Sequence, residues 1–206
     1  SPIKLDKFSK QNNIDRNKFI ILLPGRLTYW KGQKIFIEAI KLLYEKSDIP
    51  SFEAIVLGNE QGRNVYKKQL IDLVLKHRLN KVIKFIDHCK EMPVAYGISN
   101  LVCSCSSEPE TFGRIAVEAQ SMQIPIIASD IGGSKETIIR DKTGYLYKNK
   151  DPIDLANSIA VVMQKKYDLL QSLGIEGRKN VLKRFDVDKM CQTTFTEYKK
   201  LIKLFR

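Results

Sequence analysis

The chain has 206 residues, 43% hydrophobic and 28% charged, a composition that fits one globular unit around one substantial core. No apolar run approaches the ~20 residues that a membrane-spanning helix needs. A net charge of +12 suits phosphorylated ligands or anionic lipid, but the basic residues are scattered and no zinc-finger, homeodomain or RNP-like pattern appears, so nucleic acid is not expected as a partner.

Residues 1–18 are polar with few apolar anchors and read as a linker or leader. The apolar run 19–23 has strand length, and Pro24-Gly25 stops it. A loop with Arg26 and Lys31-Gly32 follows, then Ile35, Phe36, Ala39, Ile40 and Leu43 at the spacing of one buried helix face. A guanidinium offers two parallel donors and an ammonium a point charge, a pair suited to a diphosphate; a merely solvated basic loop is the plain alternative. Residues 52–57 form a second strand, ended by Gly58-Asn59-Glu60, with a helix predicted over 64–76. Residues 82–86 form a third strand, followed by Asp87-His88-Cys89 and a short helix with Pro93 in its first turn, reaching Ile98.

A fourth strand, 101–104, leads to Glu110, the turn Thr111-Phe112-Gly113 and a helical run through Met122 that carries Glu118. Residues 124–128 make a fifth strand. The loop 129–134 contains Gly132-Gly133 and offers Ser134 as cap of a short helix through Ile139. After a turn at 141–144, residues 145–147 make a last strand. Asp151-Pro152 is a cap-plus-proline helix start. Helices over 168–185 and 187–204 close the chain, the second capped by Asp186. Strands alternating with helices predict a doubly wound, Rossmann-like α/β parallel sheet of about six strands with extra carboxyl-terminal helices.

The stretch 106–119 organises the chemistry. A strand ends, a carboxylate follows, and a helix opens beside it, which is where open parallel sheets bind ligands. The unpaired N–H groups of a helix start are a natural seat for phosphate. Glu110 and Glu118 are eight positions apart, a rise of roughly 12 Å if both were helical, beyond the about 5–10 Å of a hydrolytic carboxylate pair. That spacing favours carboxylates gripping opposite ends of an elongated ligand, with two ordinary surface glutamates as the alternative. His77, read as solvent-facing, and His88 form no metal-ligand pattern, and Cys89, Cys103, Cys105 and Cys191 read as reduced thiols, so no metal is expected. No G-x-G-x-x-G or Walker A loop follows a strand.

The run Glu110-Thr111-Phe112-Gly113 with Glu118 resembles the E-x7-E signature of retaining glycosyltransferases of the GT-B fold, the glycosyltransferase 4 group. Thr111 stands where that family usually has Gly. Gly25-Arg26-Leu27 with Lys31-Gly32 resembles the same family's phosphate loop, and residues 3–9 resemble its interdomain hinge. The resemblance implies a donor-binding, carboxyl-terminal domain over 19–206, with 1–18 leading in from an amino-terminal domain. It gives Arg26 and Lys31 the donor diphosphate, Glu110 the sugar hydroxyls and Glu118 the ribose. Arg26, Lys31 and Glu110 are then the catalytic set. Gly25, Thr111, Phe112, Gly113 and Arg114 surround the donor, the Gly132-Gly133 loop closes over it, and Asp87, His88, Cys89 and Met92 border the base. Two further positions depart from the pattern: Glu60 replaces the second Gly of Gly-x-Gly-Pro, and Asp87 replaces the Gly usual after the third strand. The implied activity is retaining, metal-independent transfer from a nucleotide-diphosphate sugar, without cofactor, in cell-envelope polysaccharide or glycolipid synthesis. The implied setting is cytoplasmic, with peripheral contact at the inner membrane face through the basic tail. Alone, the chain is expected to bind donor without transferring it. A phosphorylase or synthase on the same scaffold, and a nucleotide-sugar binding module without catalysis, are the alternatives.

Overall fold

A computed structural model describes residues 1–62 and 64–204. The strands are β1 (Phe19–Pro24), β2 (Phe52–Leu57), β3 (Ile83–Ile86), β4 (Leu101–Ser104), β5 (Ile126–Ser129) and β6 (Tyr145–Tyr147). They form one parallel sheet in the order β3-β2-β1-β4-β5-β6. The order reverses between β1 and β4, so the crevice at their carboxyl ends is the natural ligand position.

Alternate strand residues face opposite layers. Ile21, Leu23, Ala54, Val56, Leu101 and Cys103 pack against α2 (Gln33–Tyr44), α3 (Asn64–Lys76) and α7 (Pro152–Met163). Ile20, Leu22, Ile55, Leu57, Val102 and Ile126 face the other layer, which holds α4 (Met92–Gly97) and α5 (Arg114–Ser121). Each large apolar side chain so buried contributes about 1.5–3 kcal/mol. Asp151 caps α7 through the amides of Ile153 and Asp154, as its sequence predicts.

Several local expectations are corrected. The segment read as linker contains α1 (Pro2–Gln11), with Pro2 in its first turn. Leu5 and Phe8 turn α1 onto the sheet's second layer, Lys4 pairs with Glu91 at 2.6 Å, and Ile14 is buried. Glu53 anchors the segment's end from inside β2: it is 3% exposed and meets Lys84 at 2.8 Å, Lys18 at 3.3 Å and the Asp15 amide at 3.3 Å. The helical run after the Thr111-Phe112-Gly113 turn begins at Arg114, as Gly113 holds a left-handed φ of 76°, and ends at Ser121, one residue before the Met122 expected. Ser134 is the first residue of α6 (Ser134–Thr137), not its cap, and makes no capping bond. β5 starts after Pro125, two residues later than expected, and α8 (Tyr167–Arg184) one residue earlier. His77 is not solvent-facing: its side chain is 13% exposed and lies 3.0 Å from Glu38.

All four cysteines are free, with Cys103 and Cys105 buried, Cys89 half-buried and Cys191 exposed. The last helix, α9 (Val187–Leu204), has no buried residue. Among the described residues no helix is long and apolar enough to cross a membrane.

Helix α8 braces α5 from behind. Asn180 donates to Gln120 Oε1 at 2.9 Å and to the Thr137 carbonyl at 3.0 Å, and Gln120 donates to the same carbonyl at 3.0 Å. Gly174 permits this approach, since a Cβ there would stand 2.1 Å from the Gln123 carbonyl oxygen. Gly174→Ala is therefore expected to destabilise the chain by about 1–3 kcal/mol despite alanine's better helix propensity. Urea denaturation reads this directly, and a raised midpoint would contradict the packing.

Candidate functional site

A cleft of about 630 Å³ opens at the carboxyl ends of β1, β2 and β4. Its wall is built from three loops and the start of α5. After β1 the chain passes Gly25 and Arg26, makes a short 3-10 turn over Tyr29–Lys31, and enters α2. Gly32 lies flat on the end of β4: a Cβ there would be 1.8 Å from the Cys105 carbonyl oxygen. That contact brings Lys31 beside the loop that follows β4.

Lys31 Nζ meets Glu110 Oε1 at 2.7 Å, with side-chain exposures of 16% and 25%. The Ser106 hydroxyl donates to the same carboxylate oxygen. Behind them, the Gly133 amide donates to the Glu110 carbonyl at 2.7 Å. Gly133 sits so close that a Cβ would be 2.5 Å from the Phe112 carbonyl carbon. The loop at 129–134, expected to close over a ligand, packs its Gly132 and Gly133 against the 109–112 backbone and is absent from the cleft lining.

Gly113 precedes α5 without contributing a side chain, so no side chain caps the helix. Its first-turn N–H groups and positive dipole end face the cleft wall formed by Thr111, Phe112, Gly113 and Arg114. Glu118 lies one turn further along. The Tyr96 hydroxyl donates to its Oε2 at 2.7 Å, and Arg114 meets Oε1 at 3.1 Å. Tyr96 is 2% exposed, and burial first, then the neighbouring carboxylate, raises its phenol far above the usual range. It therefore keeps its proton and acts as a fixed donor. The two glutamates line one cleft but sit in separate hydrogen-bonded groups, and the ~12 Å helical rise does not apply because Glu110 precedes the helix.

The far wall comes from Asn59 and Gln61 after β2 and from His88, Cys89 and Met92 around the start of α4. Of the residues singled out from sequence, Gly25, Arg26, Lys31, Glu110, Thr111, Phe112, Gly113, Arg114, Glu118, His88, Cys89 and Met92 all line the cleft. Asp87 does not. Its side chain is 66% exposed and pairs with Lys67 on α3. Tyr96, Ser106, Asn59 and Gln61 were missed. Ser106 had a readable signal, a hydroxyl at a strand end four residues before a carboxylate. Tyr96 had none, since its role depends on α4 lying against α5. Chemically the cleft joins an ammonium, a guanidinium and a helix start, which suit phosphate, to two carboxylates, which suit hydroxyls.

Residues 5–180 match the family described as glycosyl transferases group 1. The capsular polysaccharide biosynthesis glycosyltransferase CapM of Staphylococcus aureus is 25% identical over 191 residues, covering 89% of this chain and 48% of its own length. A glycosyltransferase from Rickettsia africae ESF-5 superposes with a TM-score of 0.93 at 29% identity, over 98% of this chain and 53% of its own. HepE of Anabaena, solved with UDP-glucose, superposes with a TM-score of 0.86 at 27% identity, over 97% of this chain and 53% of its own. The chain thus spans about half the length of these relatives. Its parallel sheet matches the carboxyl-terminal half of a GT-B fold, and the chain belongs to the glycosyl transferases group 1 family.

Proposed function

We propose that this chain is the donor-binding half of a retaining, family 4 glycosyltransferase. It would carry a nucleotide-diphosphate sugar whose hexosyl group passes to an acceptor in cell-envelope polysaccharide or glycolipid synthesis. The observation that carries the reading is the convergence of Lys31, Arg26, Glu110 and the uncapped start of α5 on one cleft. The UDP-glucose bound by HepE supports the ligand class, and CapM's name supports the setting.

In this reading the diphosphate lies over the start of α5. As the bond from the sugar's anomeric carbon to the diphosphate oxygen breaks, negative charge grows on the leaving group. Arg26, Lys31 and the first-turn N–H groups stabilise that charge, work we assign to them without a metal ion or cofactor. Lys31 is held by Glu110. A diphosphate competes for the ammonium, and the released carboxylate turns to the sugar hydroxyls. Glu118, oriented by Tyr96, accepts from the ribose hydroxyls. The acceptor site belongs to an amino-terminal half that α1 would join, a division supported by relatives about twice as long. We place the protein in the cytoplasm, with exposed, lysine-bearing α9 as its peripheral contact to the inner membrane face.

Binding of UDP or another nucleoside diphosphate is expected without added metal and unchanged by EDTA in calorimetry; loss of binding with chelator would sink the metal-free assignment. Glu118→Gln should weaken nucleoside diphosphate binding by about 1–3 kcal/mol, the contribution of hydrogen bonds to a charged acceptor. Glu110→Gln should leave plain UDP binding unchanged or slightly tighter, because Lys31 is freed, while weakening the sugar-bearing donor. Equal losses on plain diphosphate would remove the division of labour. In a transfer assay this chain should be inactive beside the full-length protein, since holding both reactants together supplies roughly 7–11 kcal/mol of barrier lowering. Comparable turnover would place an acceptor site within these 206 residues.

A further inference from the structure

Glu60 and Asp87, two of the positions where the sequence departs from its family's pattern, are far apart in the chain but meet at one side chain. Lys67, on the first turns of α3, reaches Glu60 Oε2 at 3.2 Å and also holds Asp87 Oδ1. Its own side chain is 23% exposed and does not line the cleft. Each carboxylate belongs to a loop that does. One step from Glu60, Gln61 lines the cleft together with Asn59; one and two steps from Asp87, His88 and Cys89 line the same far wall.

Neither loop is held by regular structure. Gln61 takes a left-handed φ of 47°, which a residue with a side chain keeps only where its surroundings hold it, and Gly62 follows at 84°, which glycine adopts freely. The 87–91 loop lies between β3 and α4. Asp87 first, then Glu60, favours the charged form of Lys67 and raises its pKa above the ordinary lysine range, so the junction stays ionised at neutral pH.

We propose that Lys67 is a positioning residue for nucleobase discrimination: by joining Glu60 to Asp87 it sets the separation of the two loops that wall the base end of the cleft. The proposal rests on the donor-site reading above and on the resemblance that sets the base beside His88, Cys89 and Met92, whose wall Asn59 and Gln61 complete. The lysine reaches no ligand atom itself. Its effect falls on the part of affinity that depends on base identity and leaves the part that depends on phosphate.

The experiment is calorimetry of UDP, GDP, ADP and inorganic pyrophosphate on this chain and on Lys67→Met, Lys67→Arg and Asp87→Asn, with melting temperatures recorded alongside. Lys67→Met should narrow the ratio of the tightest to the weakest nucleoside diphosphate by roughly five- to tenfold while pyrophosphate stays within about twofold. Asp87→Asn should narrow it less, and Lys67→Arg should retain most of it. An unchanged ratio with a lower melting temperature would make Lys67 merely structural and overturn the proposal. So would a loss shared equally by pyrophosphate, or a wild-type chain that binds all three nucleosides alike. If the wild-type chain binds neither the nucleoside diphosphates nor pyrophosphate, it is the donor-site reading that falls, and the proposal falls with it.

Discussion

The ion pair between Lys31 and Glu110 is the contact on which the rest of the site turns. It bridges the loops after β1 and β4, the two neighbouring strands where the sheet reverses its order. Both charges are largely withdrawn from water, and such a pair tolerates burial only while its members remain partnered. A ligand that entered the cleft without its own negative charge would leave Lys31 where it is. One that brings phosphate replaces the carboxylate it displaces. Because Lys31 Nζ is already paired, a ligand gains that ammonium only by taking the place of the Glu110 carboxylate.

Holding that pair in place is the task of backbone packed on backbone. Gly32 against Cys105 and Gly133 against Phe112 fix the loops from below and behind. Helix α8 then presses on α5 through Gly174, while Asn180 and Gln120 share the Thr137 carbonyl. The site's precision therefore originates two layers away from any ligand. A small residue is needed at each crossing, and the polar groups buried there are mutually satisfied.

Much of this was readable in the sequence, and the boundary is physical. Apolar runs of strand length alternating with helical spacing imposed the doubly wound sheet, because each pattern can bury its face in only one way. In the loops after β1 and β4, charged residues beside glycines at strand ends suggested a ligand site, and only the family resemblance chose it over a solvated surface. What escaped depends on contacts between elements far apart in the chain. Tyr96 gains its meaning only where α4 meets α5. Asp87 was placed at the base with its whole loop by resemblance, yet its side chain pairs with Lys67 on α3. Helix α1 escaped because its polar composition hid the few residues, Leu5 and Phe8, that dock it. The support given by Gly133 was invisible because a glycine states that space is scarce without saying what fills it.

The free thiols divide along the same inside–outside line. Burial pushes the Cys103 thiol well up, and burial pushes Cys105 up to about 12, so both stay protonated, shielded and silent toward alkylating reagents. Cys89 stands in the cleft wall and Cys191 on exposed α9. The protein thereby carries two native labelling handles on separate surfaces. A fluorophore on Cys89 would register occupancy of the cleft, and one on Cys191 would register whatever comes to cover α9, without any engineered cysteine.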